Sequence, residues 1–85
     1  MAETQIHTQE LIDLFNDLLQ EFMLARQLHK QFGSPHEGYA MILEELDELW
    51  LEVKKRKAER SPERMRKEAI QVAAMAMRLI FDLGY

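Results

Sequence analysis

Leu11, Phe15, Leu18, Phe22 and Ala25 recur at spacings of three and four, which draws one apolar stripe along a helix. This first helix is expected to start somewhere between Thr4 and Thr8, with Thr8 as a candidate cap, and to run to about Gln31. A second helix has a stronger start signal. Ser34 suits the N-cap, Pro35 the first helical position, and Glu37 completes a Ser-x-x-Glu capping box. Its pattern continues to about Arg60, with Ile42, Leu43, Leu46, Leu49, Trp50 and Val53 as the expected buried side. A third helix opens with Ser61 as cap, Pro62 at its first position and Glu63 in its first turn, and reaches about Leu83, where Gly84 is a plausible stop. Gly33-Ser34-Pro35 and Ser61-Pro62 are the interior breaks, and no linker or low-complexity stretch separates the segments. The reading is all-α: one domain over residues 1–85, built from three long helices.

The third helix asks for more than its own chain supplies. From Val72 to Phe81 only Arg78 is charged, so this stretch is apolar nearly all the way round. Two helices of the same chain would not cover every side of it. A second chain is therefore expected, in an intertwined helical-bundle dimer or a tetramer built from dimers. Length points the same way. A domain of 85 residues hides only roughly 60–65% of the surface its unfolded chain exposes. Small domains usually add disulfides, a metal or a partner. Cysteine is absent, which excludes disulfides and thiolate metal sites and leaves a carboxylate-bound metal, oligomerisation, or both.

Formal net charge is -4, which does not favour nucleic acid, although eight of the 11 Lys and Arg fall between Lys54 and Lys67. No apolar run approaches the ~18–20 residues of a membrane span. The N-terminal residues lack the basic and apolar regions of a signal peptide, so a cytoplasmic protein is the default expectation.

Candidate chemistry sits in the second helix. Glu44-Glu45-Leu46-Asp47-Glu48 places Glu45 and Glu48 three apart and Glu44 and Glu48 four apart, and both spacings gather carboxylates on one side of a helix. Glu45, Glu48 and Glu52 form a stripe beside the expected core, whereas Asp47 points away to water. The third helix adds Glu68 and, three residues on, Gln71. A solvated acidic face is the ordinary alternative. Such faces usually carry i,i+4 partners of opposite charge, but the residues four after Glu44, Glu45 and Glu48 are Glu48, Leu49 and Glu52. Carboxylates with open positions suit Mg2+, which commonly pairs protein carboxylates with substrate phosphates, and this points to phosphate chemistry. Crowding also predicts that, without a cation, one of these acids holds a proton more readily than a free Glu.

The remaining candidates each carry two readings. Lys54, Lys55, Arg56, Lys57 and Arg60 complement the dipole at the end of the second helix, or they grip phosphates or a nucleic-acid backbone. Arg78 either contacts a phosphate or pairs with an acid on a neighbouring helix. His29 and His36 are expected to be structural, since no spacing links them as zinc ligands. Trp50 is expected in the core, and Met65, Met75 and Met77 at adaptable helix–helix contacts. Glycine-rich phosphate loops and a serine–histidine nucleophile pair are absent.

Glu44-Glu45-Leu46-Asp47-Glu48 followed by Lys67-Glu68-Ala69-Ile70-Gln71 resembles the MazG-like branch of the all-α nucleoside triphosphate pyrophosphohydrolases, whose signature is Glu-Glu-x-x-Glu on one helix and Glu-x-x-Asp on the next. The resemblance covers roughly Gly38 to Leu83. It implies Mg2+-dependent cleavage of a nucleoside triphosphate between the α- and β-phosphates, giving the monophosphate and pyrophosphate, in a dimer or dimer of dimers. By position, Glu45, Glu48 and Glu68 would hold the metal, and Glu44 would be a further ligand or orient the water. Lys54, Lys55 and Arg78 would steady the phosphates. Gln71 stands where the pattern has Asp. Its carbonyl can still meet a cation, but it brings no charge and no base. That departure opens a second expectation, a non-catalytic helical interaction module on the same scaffold. A nucleic-acid-binding helical dimer using Lys54 to Lys67 is a weaker third.

Overall fold

The structure, a computed structural model, describes residues 7–85, so the possible helix start from Thr4 lies outside the described residues. It contains three long helices, α1 (Thr8–Leu28), α2 (Pro35–Val53) and α3 (Pro62–Leu83), with a single 3-10 turn at Lys57–Glu59 between the last two. No strand occurs among the described residues. No helix there is long and apolar enough to cross a membrane.

The helix ends follow local chemistry. Ser34 Oγ accepts from the Glu37 backbone N–H at 3.1 Å, and Glu37 Oε1 reaches back to the Gly33 N–H at 2.9 Å, one residue before the cap. Ser61 Oγ accepts from the Arg64 N–H at 3.2 Å, with Pro62 beside it. Gly84 takes the left-handed conformation (φ 75°) that a C-terminal stop needs and that a side chain would resist. α1 starts on His7, which makes no side-chain cap bond, so Thr8 is its first residue rather than its cap.

α2 stops at Val53, seven residues short of the expected Arg60. Lys54, Lys55, Arg56 and Lys57 would repel one another along a continued helix. The Arg60 Nε instead folds back and donates to the carbonyls of Val53 and Lys55 at 3.0 and 2.9 Å, satisfying groups the helix end leaves free. α1 likewise ends at Leu28, before Gln31.

α3 is the central element. α1 and α2 both pack on it, and no Cα of α1 comes within 8 Å of one in α2. The core is therefore shared between α3 and each neighbour: Phe22 and Ala25 from α1, Phe32 from the connection, Ala74 and Met75 from α3, with Met41, Ile42 and Leu79 packed against them. Gly38 allows the close approach of α2, since a Cβ there would lie 2.8 Å from Leu79 Cδ1 and 3.3 Å from Phe32 Cδ2.

This layout corrects the expected buried side of α2. Leu43, Leu46, Trp50 and Val53 are exposed in the single chain, Trp50 by 58%, because α1 never reaches that side of α2. On a helical wheel α1 and α2 occupy opposite flanks of α3. Of the two faces between these flanks, one carries Ala69, Ala73 and the exposed Ile80, and the other carries Gln71 with the buried Met75 and Arg78.

The bundle end is tied by a charged cluster absent from the sequence reading. Asp82, whose side chain is fully buried, accepts from Arg26 Nε and from the Phe32 backbone N–H, both at 3.1 Å, and lies 3.6 Å from an Arg78 guanidinium nitrogen. Arg78 also donates to the Lys30 carbonyl at 2.8 Å and stacks over Phe32, while Arg26 stacks over Phe81. These contacts clamp α1, the α1–α2 connection and α3 together.

Candidate metal centre

Glu45 and Glu48 lie one turn apart on the side of α2 that meets α3, and Glu68 faces them from α3. One carboxylate oxygen from each of the three lies within 4.8 Å of the others. Among the described residues no basic side chain forms an ion pair with any of them, although Lys67, next in sequence to Glu68, favours its ionised form.

The electrostatics are those of crowded acids. Partial burial, a hydrogen bond to Glu48, and the charges of Glu48, Glu68 and Glu44 push the Glu45 carboxyl up to about 7. Glu68 is also raised, first by burial and then by the charge of Glu48. In addition, Glu68 Oε2 is buried without a hydrogen-bond partner. A buried acceptor left unsatisfied is costly. A proton relieves part of this crowding as pH falls through about 7, and a divalent cation would relieve it more completely. The donor set, three carboxylate oxygens close enough to share one ion, fits Mg2+ or Mn2+ with positions left for water and phosphate.

The other expected site residues are distributed as follows. Glu44 is exposed and outside the three-carboxylate group, though its charge acts on Glu45. Gln71 turns its amide to α1, where Nε2 donates to Glu21 Oε2 at 2.7 Å. Lys55 is paired with Glu52 at 2.9 Å, and Lys54 is exposed at the end of α2. Arg78 is 1% exposed and held within the bundle-end clamp, so its partner is Asp82 on its own helix rather than an acid on another. His29 is the exposed C-cap of α1, and His36 is exposed in the first turn of α2.

Beside Glu45, on the Gln71 face of α3, runs a valley bounded by α1 and α3 and, at one end, by Met41 and Glu45 of α2. The Gln71–Glu21 bond crosses it. To one side is a cleft of about 280 Å³ lined by Glu45, Gln71, Leu24, Leu28, Met41 and Met75. On the other is a hollow of about 320 Å³ with Arg66 and Lys67 on its wall. Arg66 is paired there with Asp17 at 2.9 Å. A cleft of mixed polar and apolar lining, reached by Glu45, and a hollow that carries Asp17, Glu21 and Glu63 as well as Arg66 and Lys67 thus adjoin one another.

Two residues escaped the sequence reading. Glu21 sits between apolar-stripe positions Leu18 and Phe22 and gave no motif. Asp82 had a usable signal, because it lies four residues after the lone charge Arg78, the spacing of a helical ion pair.

No family model, curated protein or solved structure matches this chain.

Proposed function

We propose that the protein is a divalent-cation-dependent nucleoside triphosphate pyrophosphohydrolase of the MazG-like kind, acting as a homodimer or dimer of dimers. The observation that carries this reading is the convergence of Glu45, Glu48 and Glu68 from two helices with no basic side chain bridging them. Mg2+ held by these three carboxylates would neutralise a triphosphate and supply water at a lowered pKa.

The chain's own residues have distinct tasks in this reading. Glu45, Glu48 and Glu68 bind the cation, and Glu44 adds negative charge behind Glu45. Leu24, Leu28, Met41 and Met75 of the adjoining cleft give the substrate one apolar side. Lys67, on the wall of the neighbouring hollow, and the exposed Lys54 steady phosphate oxygens as point charges. Arg78 serves the scaffold through Asp82 instead of touching substrate. Self-association fits the apolar residues the single chain leaves uncovered: Phe15, Leu19, Leu46, Trp50, Ile80 and Phe81 are each 47–60% exposed.

The test is pyrophosphate release from a panel of ordinary and damaged nucleoside triphosphates with Mg2+. Release that depends on the metal and is abolished by Glu48→Gln supports the enzyme. The exposed apolar residues and the committed amide of Gln71 favour a second reading, a non-catalytic helical interaction module. Absence of release across the whole panel selects that alternative.

A further inference from the structure

Resting on that reading, the question is where the attacking water sends its proton. Glu45, Glu48 and Glu68 are committed to the cation. One further carboxylate lines the same cleft as Glu45, and it comes from a different helix: Glu21 of α1. Its orientation is set by Gln71, whose Nε2 donates to Glu21 Oε2 at 2.7 Å from α3. This bond occupies one carboxylate oxygen and leaves Oε1 able to accept. Gln71 itself is a neutral amide and cannot take a proton.

The other titratable or charged groups on that cleft are unsuited to the task. Arg78 of α3 is permanently cationic and bound to Asp82 and the Lys30 carbonyl. His29, at the end of α1, lies about two helical turns beyond Glu21 and no neighbouring side chain orients it among the described residues. Glu45 of α2 belongs to the three-carboxylate group. Lys67 of α3 and Asp17 of α1 face the hollow beyond the Gln71–Glu21 bond, Asp17 being paired with Arg66.

We propose that Glu21 is the proton acceptor for the attacking water and that Gln71 is its positioning residue. The water oxygen forms a bond to phosphorus at the α–β bridge while the bridging P–O bond breaks. The leaving group, pyrophosphate when the α-phosphorus is attacked and the nucleoside monophosphate when the β-phosphorus is, keeps that bonding pair, and the water's proton passes to Glu21 Oε1. The acid–base function is thus carried on α1, and Gln71 of α3 holds it in place through its amide.

The experiment compares the full-length wild type with Glu21→Gln and with the reciprocal exchange Glu21→Gln/Gln71→Glu, which keeps an amide–carboxylate pair but moves the base to α3. Steady-state pyrophosphate release, Mn2+ affinity by electron paramagnetic resonance, and melting temperature are read for each. The proposal expects Glu21→Gln to lower kcat by ~10²–10⁴-fold with KM, Mn2+ affinity and melting temperature nearly unchanged. The exchange variant should recover at least about tenfold of that loss, which a purely structural role for the pair would not produce. A Glu21→Gln variant within about threefold of wild-type kcat overturns the proposal. So does a loss of Mn2+ affinity matching the loss of rate, which would make Glu21 a metal ligand. Wild-type Mn2+ binding indifferent to Glu45→Gln would overturn the underlying metal-site reading and this proposal with it, and that result is distinguishable because it needs no turnover.

Discussion

Replacing Glu45 by Gln should stabilise the metal-free protein at neutral and alkaline pH, the reverse of what removing a half-buried polar contact usually does. In the folded chain the Glu45 carboxyl is raised from 4.5 to about 7, chiefly by burial and then by Glu48 and the neighbouring charges. A raised carboxyl pKa means the folded state holds the proton more tightly than the unfolded state. The associated stability is fully present below about pH 4.5 and is lost as pH climbs through about 7. At ~1.36 kcal/mol per pKa unit the ceiling on that loss is roughly 3 kcal/mol. Glu45 is only partly buried and its neighbours are screened by solvent, so a value of about 1 kcal/mol is the sounder expectation. Gln is neutral at every pH, nearly the same shape, and still able to hydrogen-bond Glu48. In thermal melts at fixed protein concentration with EDTA, Glu45→Gln should exceed wild type by about 4–8 °C at pH 8. The two should converge near pH 4. A Glu45→Gln variant that melts below wild type at pH 8, or a difference independent of pH, would refute the crowded-acid account.

Three further outcomes follow from the packing. Asp82→Asn leaves Arg26 and Arg78 without their carboxylate, Arg78 being fully buried, and should cost about 3–5 kcal/mol in urea unfolding. A loss below about 1 kcal/mol would show that the clamp is peripheral. Gly38→Ala should destabilise by about 1–3 kcal/mol despite Ala's better helix propensity, because its Cβ meets Leu79 and Phe32, and a neutral or stabilising result would contradict the close α2–α3 approach. Sedimentation should show a dimer or larger species at micromolar concentration, with Ile80→Asp shifting it toward monomer. A wild type that stays monomeric would remove the second chain from the account.

Element types were legible because each has a local cause. The Ser34-Pro35 and Ser61-Pro62 starts and the Gly84 stop depend on residues within a few positions, and the structure keeps all three. The carboxylate group was legible for the same reason. Glu45 and Glu48 share a helix face by spacing alone, and Glu68 lies on the next helix, so only the meeting of α2 with α3 had to be supplied. What escaped is long-range. Helical periodicity shows that α2 has an apolar side but not which neighbour covers it, so Leu46 and Trp50 were assigned to a core that α1 does not reach. The early end of α2 depends on Arg60 folding back across seven residues. The partner of Gln71, and the Phe32 N–H and Arg26 that Asp82 also binds, lie 50 or more residues away in the chain, where no spacing rule applies.

The central claim is that acids from α2 and α3 share one divalent ion, and calorimetric titration of Mg2+ at pH 7 in two buffers of different ionisation enthalpy tests it most directly. A Glu45 carboxyl raised to about 7 is roughly half protonated there, so binding must expel about half a proton or more per site. The account predicts saturable binding of one Mg2+ per protomer with that release, fading toward pH 9 and lost in Glu48→Gln. No saturable binding, or binding with no change in proton count between pH 6 and pH 9, would contradict it.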